Sequence, residues 1–316
     1  MAELPIVVVV DPIDERAMVR LKAGPCRVVD ASADPASLGS HLADAWAIIV
    51  RSRTRVTPQL MDQAPHLQLI ARAGVGIDNV DLAHATARKI RVVNAPTAAT
   101  VSVAELAVTF CLLLVRGFYP QIAPTKAGKW ERGTHGHEID GKTVGLVGYG
   151  RIAREVAHRL APFEVTTISY DPYVNRTGDR TELVSFDDLL HRGDIISLHA
   201  VLNHETHHLI NAGAFERMKA GAYLVNVARG ALVDDAALLT ALKFGRIGGA
   251  ALDVYEYEPP RSTELLAQPN VIATPHIGAS TVEAQWRAGM DIVEEVLRAV
   301  RGEPLTALVA PSGGGR

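Results

Sequence analysis

Three polar residues, Arg229, Glu258 and His276, each lie just beyond a short apolar run: Ala222–Ala228, Gly249–Val254 and Val271–Thr274. In an open parallel sheet, ligands bind outside the carboxyl ends of the strands, so three such ends point at one crevice. A carboxylate beside an imidazole tunes its basicity, and a guanidinium clamps an anionic substrate group. Together they can move a proton on a hydroxy or keto acid. Each also has a purely structural reading. A histidine after a strand can be hydrogen-bonded framework, Arg229 before Gly230 an exposed turn arginine, and Glu258 before Pro259 a solvated loop acid. Their occurrence together, in this order, favours the chemistry.

A second pattern is Gly148-Tyr-Gly150-Arg-Ile-Ala153, a form of the G-x-G-x-x-G/A dinucleotide fingerprint. Gly148 permits the tight turn, Gly150 lets backbone approach a pyrophosphate, and the amides opening the next helix meet the phosphates. Alone, such a pattern can be a plain turn. Here an apolar strand precedes it, an amphipathic helix follows, and the next strand ends in Asp171, 23 residues on, against the roughly 20 expected of a ribose-binding acid. Asp171 would repel a 2′-phosphate and favour NAD over NADP, although Arg176 and Arg180 nearby soften that preference. The competing reading is that Asp171-Pro172 merely starts a turn.

Other polar clusters are less telling. Arg51, Arg53 and Arg55 alternate, so an extended segment would line them on one face, to bind an anion or simply as a solvated edge. His204, His207 and His208, and His135 with His137, lack the cysteine or carboxylate company of common zinc sites in their local spacing. No metal is expected from them.

The 316 residues carry 32 basic and 35 acidic side chains, a net charge of −3. That gives no global field for nucleic acid, and the length allows two domains. Two cysteines, Cys26 and Cys111, sit in apolar contexts, fitting a reducing, cytoplasmic compartment rather than a disulfide framework. The chain opens almost directly on the run Ile6–Val10, so no cleaved signal is expected. The stretch Leu106–Val115 is too short to span a bilayer, and the tail Pro311–Arg316 reads as unstructured.

To position these groups, short β-branched runs alternate with helical stretches, implying βαβ units and parallel sheets. The fold class is α/β, with two Rossmann-like doubly wound domains. Strands are expected at Ile6–Val10, Arg27–Asp30, Trp46–Arg51, Leu69–Ala71 and Arg91–Asn94. A second series is expected at Thr143–Val147, Val165–Tyr170, Ile195–His199, Tyr223–Val227, Ala250–Val254 and Val271–Ala273. Helices are expected at Val101–Arg116, capped by Thr100 or Ser102, and at Arg151–Leu160 and Val282–Arg301. Pro120 and Pro124 should end or kink any helix beyond Arg116. The fingerprint lies only in the second series. The reading is therefore a discontinuous, flavodoxin-like substrate domain, 1–96 plus 281–316, around an NAD-binding Rossmann domain, 97–280.

The chain resembles the D-isomer-specific 2-hydroxyacid dehydrogenases, and most the short D-3-phosphoglycerate dehydrogenases among them. The resemblance rests on Val50–Thr54, Arg72–Asp81, Gly128–Trp130, Gly148–Ala153, Asn226–Gly230, Ala251–Val254 with Glu258-Pro259, and Pro275–Thr281. It implies that His276 is the general acid/base, that Glu258 holds its other nitrogen, and that Arg229 pairs with the substrate carboxylate. It implies that Gly148, Gly150, Arg151, Ile152, Asp171, His199, Ala228, Asp253 and Gly278 hold NAD, with Asp253 at the nicotinamide carboxamide. Arg51, Ser52, Gly74, Val75 and Gly76, with Arg229, would hold a small anionic 2-hydroxy or 2-keto acid.

Three departures bear on the substrate and cofactor. Ala98 and Ala99 stand where a glycine and an asparagine are usual at the substrate mouth, Val75 where threonine is common, and Val201 where proline is usual after His199. The first two put 3-phosphoglycerate in question and leave glyoxylate, hydroxypyruvate or another 2-keto acid open. Corepressors of this fold, which sense NAD(H) without turnover, form an alternative of another class. The apolar helix Val101–Arg116, with Trp130 nearby, implies pairing of two subunits in a homodimer, and hinge motion is expected near residues 95–100 and 277–282. No nucleic acid or membrane partner is expected.

Overall fold

Runs of β-branched and aliphatic residues build two parallel sheets, described here from a computed structural model that covers residues 3–130 and 135–310. The glycine-rich tail lies outside the described residues. The chain divides into two units, Met1–Ala99 with Ala279–Arg316, and Thr100–Gly278.

In the first unit, β1 (Ile6–Val9), β2 (Arg27–Asp30), β3 (Ala47–Val50), β4 (Leu69–Arg72) and β5 (Arg91–Asn94) form a sheet in the order β2-β1-β3-β4-β5. All pairs are parallel, and β3 is buried along its whole length, as continuous apolar runs in a doubly covered sheet require. Helices Glu15–Lys22 and Val282–Val300 cover one face through Leu21, Ile292 and Val296. Helices Leu38–Leu42, Pro58–Asp62 and Leu82–Ala87 cover the other through Leu42, Met61 and Ala85. After the last helix the chain is tied back by Glu295, 3% exposed, which accepts from the Thr306 amide, its hydroxyl and the Ala307 amide.

In the second unit, β6 (Thr143–Val147), β7 (Thr166–Tyr170), β8 (Glu182–Leu183), β9 (Ile195–Leu198), β10 (Ala222–Asn226), β11 (Ile247–Leu252) and β12 (Val271–Ala273) run in the order β12-β11-β10-β9-β6-β7-β8. The order reverses between β6 and β9, so their carboxyl ends flank the topological switch point where such sheets bind ligands. Helices Phe186–Arg192, Ala212–Arg217 and Asp235–Lys243 pack Leu189, Phe215 and Leu238 into the core of one face. Helices Thr100–Val115 and Arg151–Leu160 pack together.

Several details differ from the sequence reading. Tyr119–Lys126 is a helix despite its two prolines. Pro120 sits in the first turn, where its missing amide costs nothing, and only Pro124 forfeits an internal bond. Ser102 lies inside the helix Thr100–Val115 and does not cap it. Strand β11 begins at Ile247, three residues earlier than its apolar pattern suggests. Gly248 and Gly249 hide its start, and a Cβ on Gly249 would stand 2.6 Å from the Asn270 carbonyl oxygen, a close backbone approach that favours glycine within a strand. Among the described residues no single helix is long and apolar enough to cross a membrane.

Candidate active site

The fingerprint loop lies at the switch point, at the end of β6. Gly148 has φ +86, donates its amide to the Tyr170 carbonyl at 2.8 Å, and lies so close to the next loop that a Cβ would stand 2.8 Å from the Ala200 nitrogen. Gly150 faces open space and precedes the helix Arg151–Leu160, whose first turn has no side-chain cap. The amides of Arg151 and Ile152 are therefore available to an anion, helped by the helix dipole. Asp171, at the end of β7, accepts from the Tyr149 amide at 2.8 Å and the Tyr173 amide at 2.9 Å. This set fits a dinucleotide: a bare backbone cradle, uncapped amides and a fixed acid one strand over. His199 follows β9 with Nε2 2.9 Å from the Ser197 hydroxyl, and burial pushes its imidazole down to about 4.

Tyr149, inside the fingerprint, is a participant that sequence reasoning missed. Its ring is fully buried. Its hydroxyl donates to Asp179 at 2.5 Å and lies 2.9 Å from Thr181, pinning the segment beyond Asp171. Burial first, then Asp179, pushes the phenol up to about 12, so it stays a donor. The position is variable in the G-x-G pattern, so no local signal marked it.

The proposed proton-moving residues sit on three loops of the same unit. After β12, His276 takes the left-handed region at φ +54, and its Nδ1 lies 2.8 Å from Glu258 Oε2 and 3.0 Å from Oε1. Glu258 also accepts from the Tyr255 amide at 3.2 Å, and the Tyr255 hydroxyl donates to the Thr274 carbonyl at 2.9 Å. Arg229 follows β10 and donates from Nη1 to the Ala228 carbonyl at 2.7 Å. Its neighbour Gly230 is pressed against the backbone of Tyr255 and Glu256, where a Cβ would overlap them. The Arg229 loop and the Glu258 loop are thereby locked together, and Glu258 joins them to His276.

Two buried polar residues hold these loops. Asp253, 1% exposed, accepts from the Thr274 hydroxyl at 2.6 Å, the Ile277 amide at 2.7 Å and the Gly278 amide at 2.7 Å. It brackets His276 on both sides. Asn226, also 1% exposed, donates to the Arg229 carbonyl at 2.9 Å and accepts from the Ala228 amide at 3.1 Å. Asn226 is the polar residue that ends the apolar strand β10, a signal that could have found it.

In the other unit, Arg51 and Ser52 follow β3 on a bend organised by Asp11, 1% exposed. Asp11 accepts from the Arg51 amide at 2.7 Å, the Thr54 amide at 3.1 Å and the Thr54 hydroxyl at 2.6 Å. Asn79 closes the bend by donating to the Arg51 and Thr54 carbonyls, each at 2.6 Å. The alternation of Arg51, Arg53 and Arg55 on one face requires extended backbone, and the bend removes it. Arg53 instead turns to the Ser32 carbonyl at 3.0 Å and lies 3.5 Å from Asp11. Burial holds the Arg51 guanidinium below its ordinary value, with Asp11 opposing. Beyond β4, Gly74 has φ +156, and a Cβ there would strike the Arg72 guanidinium. Asn94 donates to the Val75 carbonyl at 2.7 Å, which ties the turn Gly74–Gly76 to the end of β5. Ala98 and Ala99 are not at an open mouth. They are 1% and 5% exposed, and Ala98 belongs to the core of this unit.

Residues 108–278 match the family model described as D-isomer specific 2-hydroxyacid dehydrogenase, NAD binding domain. The chain belongs to the D-isomer specific 2-hydroxyacid dehydrogenase family. It is 43% identical over 307 residues to the D-3-phosphoglycerate dehydrogenase of Archaeoglobus fulgidus, covering 95% of this chain and 58% of that protein. It therefore spans little more than half the length of that relative. It is 39% identical over 293 residues to the hydroxypyruvate reductase of Thermotoga maritima, covering 91% of this chain and 96% of that protein. The crystal structure of a glyoxylate reductase from Paecilomyes thermophila superposes with a TM-score of 0.86 at 30% identity, over 98% of this chain and 99% of that one. The family's cofactor is NAD, and the matched segment contains the fingerprint loop, Asp171, Arg229, Glu258 and His276.

Proposed function

We propose that the protein is an NAD-dependent dehydrogenase or reductase acting on the CH–OH group of a small 2-hydroxy or 2-keto acid, with 3-phosphoglycerate the first substrate to test. The observation that carries this is His276, whose Nδ1 is held by Glu258 at 2.8 Å, leaving Nε2 for a substrate. NAD supplies hydride transfer when bound. In oxidation His276 takes the hydroxyl proton at Nε2 while Glu258 stabilises the imidazolium, and in reduction the proton returns. Arg229 pairs with the substrate carboxylate and polarises the reacting carbonyl. The amides of Gly150, Arg151 and Ile152 would hold the pyrophosphate, and Asp171 the ribose. Arg51, Ser52 and Gly74–Gly76 would bind the anionic end of the substrate.

A second reading, a hydroxypyruvate or glyoxylate reductase, is favoured by the near full-length match to the Thermotoga maritima enzyme. Nicotinamide absorbance against 3-phosphoglycerate, hydroxypyruvate, glyoxylate, 2-oxoglutarate and pyruvate, with His276→Ala as control, decides between them. Tight NADH binding with no turnover on any acid would overturn both and leave an NADH-sensing role. We further infer a homodimer. Val101, Phe118, Tyr119 and Trp130 are exposed on and after the helix Thr100–Val115, and apolar surface of this kind is commonly covered by a symmetric partner. A monomer in light scattering at micromolar concentration would refute this. The free thiols Cys26 and Cys111, both buried, fit a cytoplasmic location.

A further inference from the structure

Beyond the proposed catalytic residues, the segment after β9 carries two consecutive histidines that the chemistry above does not use. His207 and His208 stack with ring centroids 4.0 Å apart. His208 adopts φ +49, a left-handed conformation that residues with a Cβ rarely take, and it is fixed by its amide donating to the Ala231 carbonyl at 2.8 Å. Both rings turn toward Glu256. Nε2 of His208 is 3.3 Å from Glu256 Oε2, and Nε2 of His207 is 4.0 Å from Oε1. One ligand atom from each of the three lies within 4.8 Å of the others. The carboxylate absent from the local His-x-x-His-His spacing is thus supplied from 48 residues further on.

These distances suit coordination. With metal–nitrogen and metal–oxygen bonds of about 2.0–2.1 Å, neighbouring ligands of a tetrahedral ion stand about 3.3 Å apart. The Glu256–His208 pair already has that spacing, and the exposed His207 ring can swing in. Two imidazoles and one carboxylate are borderline ligands, the set that selects zinc and its neighbours over magnesium or calcium. Asp235 lies within electrostatic reach of both Glu256 and His208, adding negative charge that favours a cation.

We propose that His207, His208 and Glu256 bind one divalent transition-metal ion of the zinc class, with water completing its coordination. The ion ties the His204–His208 segment to the Tyr255–Glu258 loop. Glu256 is two residues from Glu258, so occupancy fixes the loop that holds His276. The site stands on its own residues whichever acid the protein turns over, and its test reads coordination rather than activity.

The test is titration of the full-length protein with cobalt(II), followed by visible ligand-field absorption, and then displacement by zinc. Wild type should bind one equivalent with a tetrahedral-type band. His207→Gln and Glu256→Gln should each weaken zinc at least about tenfold, and the double variant should lose the band. Metal-free melting curves that match wild type would show the loss is not unfolding. His276→Gln should bind metal as wild type does. Absence of the band in wild type, or unchanged affinity in the double variant, would overturn the proposal, the latter placing any bound metal on other histidines.

Discussion

Replacing Asp253 by asparagine tests whether this buried acid holds the loop that carries His276. Its two oxygens receive three hydrogen bonds from residues on both sides of His276: Thr274 and Ile277 on Oδ1, and Gly278 on Oδ2. An amide has one acceptor oxygen. Whichever way it is oriented, its NH2 faces a backbone N–H that it cannot satisfy, Gly278 in one orientation and Ile277 in the other. If the oxygen stays toward Thr274 and Ile277, the Gly278 amide, in a residue that is itself buried, is stranded. One hydrogen bond to a charged group is lost, worth about 1.5–3 kcal/mol, and a buried donor is left unpaired at about 1–3 kcal/mol, while the two surviving bonds weaken. Removing a buried charge returns part of its desolvation cost, so the net loss should be about 2–4 kcal/mol. Urea unfolding followed by circular dichroism should show a lower midpoint at an unchanged slope. At saturating substrate, kcat should fall about tenfold or more as the His276 loop loosens. In a double-mutant cycle with Thr274→Val, the two losses should be less than additive, because they share one bond. A stability loss below about 1 kcal/mol together with full turnover would refute the reasoning.

His276→Gln should lower kcat by roughly 10²–10⁴-fold while leaving NADH affinity measured by fluorescence unchanged, and Glu258→Gln should cost less, because the imidazole keeps its proton-moving nitrogen and loses only the carboxylate that holds it. Gly148→Ala should abolish NADH binding and lower stability, since the methyl meets the Ala200 backbone and the backbone conformation itself costs about 1–2 kcal/mol; isothermal calorimetry and melting curves check both. His199 is held near 4 in the fold against 6.5 when unfolded, so its contribution is fully present above pH 6.5 and lost as pH falls toward 4, where the unfolded chain binds a proton the fold excludes. That loss amounts to up to about 3 kcal/mol. His199→Gln should flatten the stability-versus-pH curve across that window, and an identical slope in wild type and variant would count against it.

The two parallel sheets, the fingerprint loop and the polar residues at three strand ends were legible in the amino-acid sequence. Runs such as Ile6–Val9 and Ala47–Val50 have no polar face, so only a sheet covered on both sides can bury them. Strand ends follow from where those runs stop, and that is why Arg229, Glu258 and His276 were legible in advance. The partners of those residues were decided by tertiary structure alone. Nothing near Asp253 in the chain announces that it bonds Thr274, Ile277 and Gly278, and nothing near His207 announces Glu256. The bend that breaks the Arg51–Arg55 alternation depends on Asp11, 40 residues before Arg51 in the chain. The burial of Ala98 depends on the helix Val282–Val300 returning to cover the first sheet. Periodicity records which side chains leave water, because that depends on local geometry. Hydrogen-bond and charge partners depend on which distant segments meet, and every buried donor or acceptor needs one, so the fine placement of the site existed only once the chain had closed on itself.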